Sequence, residues 1–335
     1  MKRLYHIDFI KFLSAIGLVY FHLLHYNLPA TLYSAYQSLA YSSTPAYILV
    51  DLFLIISGYF LYKNTRPRHQ AQKFISKLFF RIYPVFLFYN IILFISGNPY
   101  PNEIINNLLL IQCTEITNQC RTIVWFIPPF FWCTILIYCI LKFFKKIGID
   151  IIFILMVTCY ALLLKFSDGN FNQFFAITPY INFAFVRVMG GLCLGVLVGT
   201  IPRLIRIPSL LIYTFETMCF ITLFTHMFII RIFTNDIYCI LLFTVLFILN
   251  TSYKTLFFHL FNNKFFGILG RYTFSIYIMQ QISFNLMQFI HTEQYMSPTL
   301  ILLCFTAFSV LSGIATYHMI EKPALNLYKK IIIKK

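Results

Sequence analysis

The feature that most constrains this chain is a succession of apolar stretches, each about 20 residues long, separated by short polar segments. A bilayer core is about 30 Å thick and an α-helix rises about 1.5 Å per residue, so one such stretch suffices to cross it. The stretches predict spans at 9–27, 45–62, 78–97, 124–142, 149–165, 183–200, 208–230, 237–252, 268–290 and 299–320. Only 11% of the 335 residues are charged, against about 25% in an ordinary soluble domain, and the mean hydropathy is +0.78. Water cannot be the solvent for that much apolar surface. The expected fold is an all-α polytopic membrane protein with about ten transmembrane helices. It is expected to form one transmembrane domain over 1–335, with no separate soluble domain.

The net charge of +16 is distributed along the chain rather than gathered in a basic domain, which argues against a nucleic-acid partner. Lys and Arg collect at the ends of alternate spans, as the positive-inside rule requires. Setting Lys2 and Arg3 in the cytoplasm brings five basic groups of segments to the same side. These are Lys63 to Arg81, Lys142 to Lys146, Arg203 with Arg206, Lys254 to Arg271, and the tail from Lys322 to Lys335. Only Arg121, Lys165 and Arg231 fall outside. With an even number of spans, both termini are expected in the cytoplasm. Met1-Lys2-Arg3 resembles the start of a signal peptide, but no small-residue cleavage site follows the first apolar run.

Seven of the nine cysteines lie in apolar segments, where a thiol acts as a small hydrophobe. Cys113 and Cys120 sit instead in a polar loop expected outside, where a disulfide is permitted.

Ionisable groups inside a span are costly, so each raises a functional question. The first span holds Asp8, Lys11, His22 and His25. Lys11 and His22 are eleven residues apart, which leaves them within about 20° on one helical face and about 16 Å apart along the axis. Asp8 precedes Lys11 by one turn. The plain reading has Lys11 snorkelling inward and His22 reaching outer headgroups; the functional one is a polar stripe with a cation at one end and an imidazole at the other. The second span, Val50-Asp51-Leu52-Phe53-Leu54-Ile55-Ile56-Ser57-Gly58-Tyr59, admits an acid and a close helix approach at Ser57-Gly58. Asp51 also reads as an interfacial carboxylate. Lys77 and Arg81 share a helical face at the cytoplasmic boundary, an arrangement that suits either a phosphate or anionic lipid. Arg187 lies too deep to snorkel and needs a partner such as Glu216 or Asp51. Trp125 reads most simply as an interface anchor. The sequence has no metal-ligand spacing, no Gly-rich phosphate loop and no G-x-S-x-G elbow.

In their order along the chain these elements resemble the acyltransferase-3 family of membrane O-acyltransferases. Asp8, Lys11 and His22 match that family's acid, base and histidine spacing in its first helix. Val50 to Tyr59 is similar to its second-helix run, and Lys77 through Pro84 to its basic segment before an R-I-x-P. Thr273-Phe274-Ser275-Ile276-Tyr277-Ile278-Met279-Gln280 echoes the late S-Y-x-x-Y-L-x-H signature, and Glu321-Lys322-Pro323 the closing E-x-P. Three positions depart from the pattern: Lys11 replaces the commoner Arg, Leu78 stands at a usually basic position, and Gln280 replaces the late histidine.

The resemblance implies transfer of an acyl group, most often acetyl, from cytoplasmic acyl-CoA (acetyl-CoA) to a sugar hydroxyl outside, with no metal. The expected acceptor is a surface polysaccharide or polyprenyl-linked glycan such as O-antigen, and the expected location the bacterial cytoplasmic (inner) membrane, with its lipids as surroundings. In that reading Lys77 and Arg81, with Arg66 and Arg68, hold the donor's phosphates. His22 takes the acceptor's proton, and imidazole suits this because it titrates near neutrality. Lys11 and Asp8 complete the catalytic helix, while Asp51, Arg187 and Glu321 order the bundle. The rival reading is a transporter or flippase for a lipid-linked glycan, which ten helices and intramembrane charges also suit. Against it, the sequence shows no paired broken helices in matching halves.

Overall fold

The structure is a computed structural model, and it describes residues 3–25, 45–65, 71–95, 106, 108–111, 123–145, 147–173, 176–178, 181–201, 207–289 and 296–333. The loop holding Cys113 and Cys120, and the segment with Arg66 and Arg68, lie outside the described residues. The other seven cysteines are free thiols.

Each expected span coincides with a helix. In chain order these are α1 (Tyr5–His25), α2 (Leu49–Thr65, entered through a 3-10 turn at Ala46–Ile48), α3 (Ala71–Ile95), α4 (Ile127–Phe143) and α5 (Gly148–Ser167). After a short hairpin of β1 (Ala176–Thr178) and β2 (Ile181–Asn182) come α6 (Phe183–Thr200), α7 (Ser209–Phe228) and α8 (Ile237–Ser252). Two short helices follow, α9 (Leu256–Phe261) and α10 (Lys264–Leu269), then α11 (Thr273–Phe289), α12 (Pro298–Thr316) and α13 (Lys322–Tyr328). Among the described residues, seven helical segments are long and apolar enough to cross a membrane, and α4 and α8 are shorter apolar helices. α11 is interrupted by Ser275, Gln280, Gln281 and Ser283, which lowers its apolarity. The chain is an all-α membrane protein apart from the five-residue hairpin pairing.

Local chemistry sets several helix starts. The Asn182 side chain accepts from the Ala184 N–H at the head of α6. Thr255 and Asn263 cap α9 and α10 in the same way, and Ser297 caps α12 ahead of Pro298. Each satisfies an N–H that the first helical turn cannot. α5 stops at Asp168 and Gly169, both left-handed, with φ of 49° and 83°.

α6 is the centre of the bundle, packed on α2, α4, α5 and α8. Its contact with α2 is the closest. A Cβ on Gly195 would sit 2.1 Å from the Ile55 carbonyl oxygen, and one on Gly58 2.1 Å from that of Leu192. Gly191 meets Leu54, and Gly199 meets Tyr62, so one small-residue face of α6 runs the length of α2. α1 packs against α2, α9, α10, α11 and α12, which closes the bundle around its polar stripe. Large apolar side chains on α5 and α7, among them Ile154, Leu210 and Met218, point out of the bundle, where a lipid solvent receives them.

Gly195→Val should therefore lower both the yield of monodisperse protein and its melting temperature in detergent, because two backbones must separate at an overpacking cost of about 1–3 kcal/mol or more. Gly190→Ala, whose new Cβ would meet only side chains of Cys159 and Tyr160 at 3.2 Å and beyond, should be milder. Equal thermal shifts for the two variants would refute this account of the interface.

Candidate functional site

The helices bring the polar residues together at two levels. The first lies near the start of α1. The Asp8 carboxylate accepts from Arg3 at 2.7 Å and from Lys11 at 3.2 Å. Gly270, just after α10, lies against Asp8 so closely that a Cβ there would be 2.4 Å from the Asp8 carbonyl oxygen. The Lys11 ammonium also lies 4.9 Å from the centre of the Phe60 ring. Lys11 and Arg81 are near enough for their charges to repel, and Arg81 in turn attracts Glu321. Glu321 is buried and accepts from the Ser275 hydroxyl at 2.7 Å. This joins the late signature on α11 to the closing E-x-P segment.

α3 begins seven residues before the expected span, so Lys77 and Arg81 stand on its first three turns, and both are exposed. The Tyr328 hydroxyl of α13 donates to the Lys73 carbonyl at 3.0 Å, which brings Lys329 within electrostatic range of Lys77. This end of the bundle gathers Arg3, Lys11, Lys77, Arg81 and Lys329 around the acids Asp8 and Glu321.

The second level lies eleven residues along α1, about 16 Å by helical rise. His22 is buried, and its Nδ1 is 3.1 Å from Oε1 of Gln280, which is wholly buried. An amide oxygen only accepts, so in this pairing Nδ1 is the donor. The Nε2 amide of Gln280 is buried without a hydrogen-bond partner among the described residues. Edge-on to the imidazole stand the rings of Phe21 and Tyr277. Tyr277 donates to the Ile123 carbonyl and packs on Phe126. One helix, α11, thus supplies Ser275 to Glu321, Tyr277 to the 123–126 turn and Gln280 to His22.

At the same level runs a buried ion pair. Asp51 and Arg187 are each 1% exposed, with Nη2 to Oδ2 at 2.6 Å and Nε to both carboxylate oxygens at 3.2 Å. The remaining guanidinium donors reach the carbonyls of Phe171 at 2.8 Å and Tyr47 at 3.2 Å. The cation lies over the rings of Trp125 and Tyr47, at 5.3 and 5.6 Å. Asp51 is therefore the partner of Arg187 and not an interfacial carboxylate. Glu216 is engaged elsewhere, accepting from the Asn250 amide at 2.9 Å and the Phe257 N–H at 3.2 Å. Trp125, expected as an interface anchor, is 5% exposed inside the bundle. Tyr47 packs edge-on against Phe21, so the ion pair and His22 share one aromatic wall.

Sequence reasoning missed Asp236. It is fully buried, accepting from the Tyr47 hydroxyl and the Phe171 N–H, both at 2.7 Å, with Arg231 at 3.4 Å. Its position before α8 disguises it as an ordinary helix-capping aspartate, yet its side chain makes no cap bond. The structure does not bring Asp8 and Lys11 into contact with His22; they form the separate cationic end.

A multi-pass helical membrane protein with a buried, amide-held imidazole at one level and a cationic cluster at the other is the class these observations define. The profile of the acyltransferase-3 family, described as an acyltransferase domain, matches residues 4–318, and the chain belongs to that family. Neither the curated proteins nor the solved structures give a match.

The buried fork makes a stability prediction. Arg187→Met leaves a carboxylate unpaired in a dry interior and should cost about 3–5 kcal/mol. Adding Asp51→Leu removes that orphan charge and should recover part of the loss. Melting temperatures in one detergent check this, and a double variant no more stable than Arg187→Met alone would count against the pair as the source.

Proposed function

We propose that the protein moves an acyl group, in the simplest case acetyl, from cytoplasmic acyl-CoA to a sugar hydroxyl on the far side of a bacterial inner membrane. The observation that supports this reading is His22, buried at the end of the bundle away from the cationic cluster, with its Nδ1 held against the Gln280 amide oxygen. An imidazole held through one ring nitrogen can act as a general base through the other. The family's acyl-transfer chemistry supports the same choice.

The step balances simply. Nε2 of His22 removes the proton from the acceptor hydroxyl as its oxygen attacks the thioester carbonyl. The C–S bond breaks, the ester forms, and the proton passes from the imidazolium to the departing CoA thiolate. The Nε2 amide of Gln280, without a hydrogen-bond partner among the described residues, is a donor suited to the charge that grows on the carbonyl oxygen. Lys77 and Arg81, with Arg66 and Arg68 in the preceding segment, bind the polyanionic end of the donor. Lys11, steadied by Asp8, stands at that end on the polar face of α1 that leads to His22. Asp51, Arg187 and Glu321 hold the helices in register. No metal is needed, because the imidazole supplies the base and the thioester is already activated.

His22→Ala should reduce acyl transfer by about 10²–10⁴-fold with normal membrane expression, and Gln280→Leu should give a smaller loss. The readout is CoA thiol released by purified protein in the presence of acceptor glycan; full activity in His22→Ala would sink the mechanism. Movement of glycan across vesicles without thiol release would favour the flippase reading instead.

Arg81→Ala should raise the apparent KM for acyl-CoA by about tenfold, the loss of one charge-assisted contact, with kcat little changed. An unaltered KM would remove Arg81 from the donor site.

A further inference from the structure

The end of the bundle that carries His22 also holds a cavity of about 380 Å³, lined by Asp168, Asn170, Arg231, Phe233 and Thr234. Its volume is within the range of small-ligand sites, about 300–1,000 Å³. None of these residues belongs to the family resemblance, and only Arg231, the partner of Asp236, figures in the site described above.

Two interhelical connections form its walls, one following α5 and one joining α7 to α8. Backbone and side-chain hydrogen bonds tie the two together. The Asp236 N–H donates to the Gly169 carbonyl at 2.8 Å, and the Phe171 N–H to the Asp236 carboxylate at 2.7 Å. Arg231 is held by the carbonyls of Phe233 and Thr234 and by Asp236. Asn170 presents its Oδ1 to the Tyr47 hydroxyl at 2.9 Å and to the Asn172 N–H at 2.9 Å.

What these bonds leave over is informative. Among the described residues, the Asp168 carboxylate, the Asn170 amide NH2, the Arg231 Nη1 and the Thr234 hydroxyl make no hydrogen bond, and all four residues line the cavity. Phe233 adds a half-buried ring, packed on His226 and Tyr238. Donors and acceptors of planar geometry around one aromatic face suit a ligand rich in hydroxyls with an apolar C–H face. The charges narrow the choice. Arg231 pairs with Asp236 behind it and shares the cavity with the Asp168 carboxylate, so a polyanion gains little there. A chain of side-chain contacts links the cavity wall to His22: Asn170 touches the Tyr47 hydroxyl, and the Tyr47 ring packs on Phe21, next to His22.

We infer that the cavity lined by Asp168, Asn170, Arg231, Phe233 and Thr234 is a subsite for a neutral sugar residue of the acceptor. This rests on the proposed acyl transfer to a glycan, and it names the place where the glycan is held. Bidentate contacts from Asp168 and Asn170 select vicinal hydroxyls, Phe233 takes the pyranose face, and Arg231 donates to a ring or glycosidic oxygen.

The test measures sugar binding directly, without donor. Full-length protein in nanodiscs is titrated with a panel of neutral hexoses and N-acetylhexosamines by saturation-transfer NMR. Wild type should bind at least one of them. Asp168→Asn and Thr234→Ala, both at exposed positions, should each weaken that binding, and Asp168→Asn with Phe233→Leu should weaken it about tenfold or more, equivalent to about 1.4 kcal/mol. Asp150→Asn, exposed at the opposite end of α5, should bind as wild type. Absence of binding to wild type, or equal binding by wild type and the cavity variants, would overturn the subsite. CoA release from acyl-CoA by wild type, abolished in His22→Ala, is scored separately: its failure would strike the acyl-transfer reading and leave the sugar-binding result to stand on its own.

Discussion

The structure depends first on the buried fork between Asp51 and Arg187. Each ion gives up several kcal/mol of hydration on entering such an interior, and the pair recovers this only if every polar atom is matched. Here the match is close to complete. Arg187 spends its donors on both carboxylate oxygens and on two backbone carbonyls, and its face on Trp125 and Tyr47. Those two carbonyls belong to the entrance of α2 and to the connection after α5. One side chain of α6 thus fixes three parts of the chain where the helices end. The glycine face of α6 against α2 makes this geometry possible, because a wider spacing would take Asp51 out of reach.

The second constraint is the separation of charge along α1. Five cations gather near its start, and the imidazole stands about 16 Å further on. In the proposed reaction a polyanionic donor and an uncharged acceptor meet different chemistry at the two levels, and the polar face of α1 runs from one to the other. α11 holds this arrangement from the other side. Ser275, Tyr277 and Gln280 are spaced by two and three residues, so they fan out to different neighbours: Glu321, the 123–126 turn and His22.

How much of this was legible in the sequence follows from what kind of signal each part leaves. Apolar length is written directly in the chain, and every expected span meets a helix. Pairing leaves no such trace. Arg187 required an acid, but Asp51 and Glu216 were equivalent candidates until geometry separated them by assigning Glu216 to Asn250 and the head of α9. Trp125 was misread because an indole at a span boundary looks the same whether it faces headgroups or a guanidinium. Asp236 was passed over because aspartate before a helix is ordinary. Lys77 and Arg81 were legible as a basic face, but the two additional turns of α3 before them were not, since Ala71 to Ser76 is too polar to count as part of a span.

The replacement of the family's late histidine by Gln280 is best understood through proton bookkeeping on one ring. A histidine facing His22 can be either donor or acceptor, so the tautomer of the pair would move with protonation. An amide oxygen against Nδ1 reduces that freedom, because it accepts and does not titrate, and in the proposed reaction the base is then Nε2. The amide nitrogen left over is a second donor at the same point, without a partner among the described residues. An unsatisfied buried donor costs about 1–3 kcal/mol, so its retention beside the base is accounted for if a carbonyl oxygen of the substrate occupies that position during the reaction. On this argument glutamine is a workable replacement at that position, trading a titratable partner for a fixed one that also offers a donor.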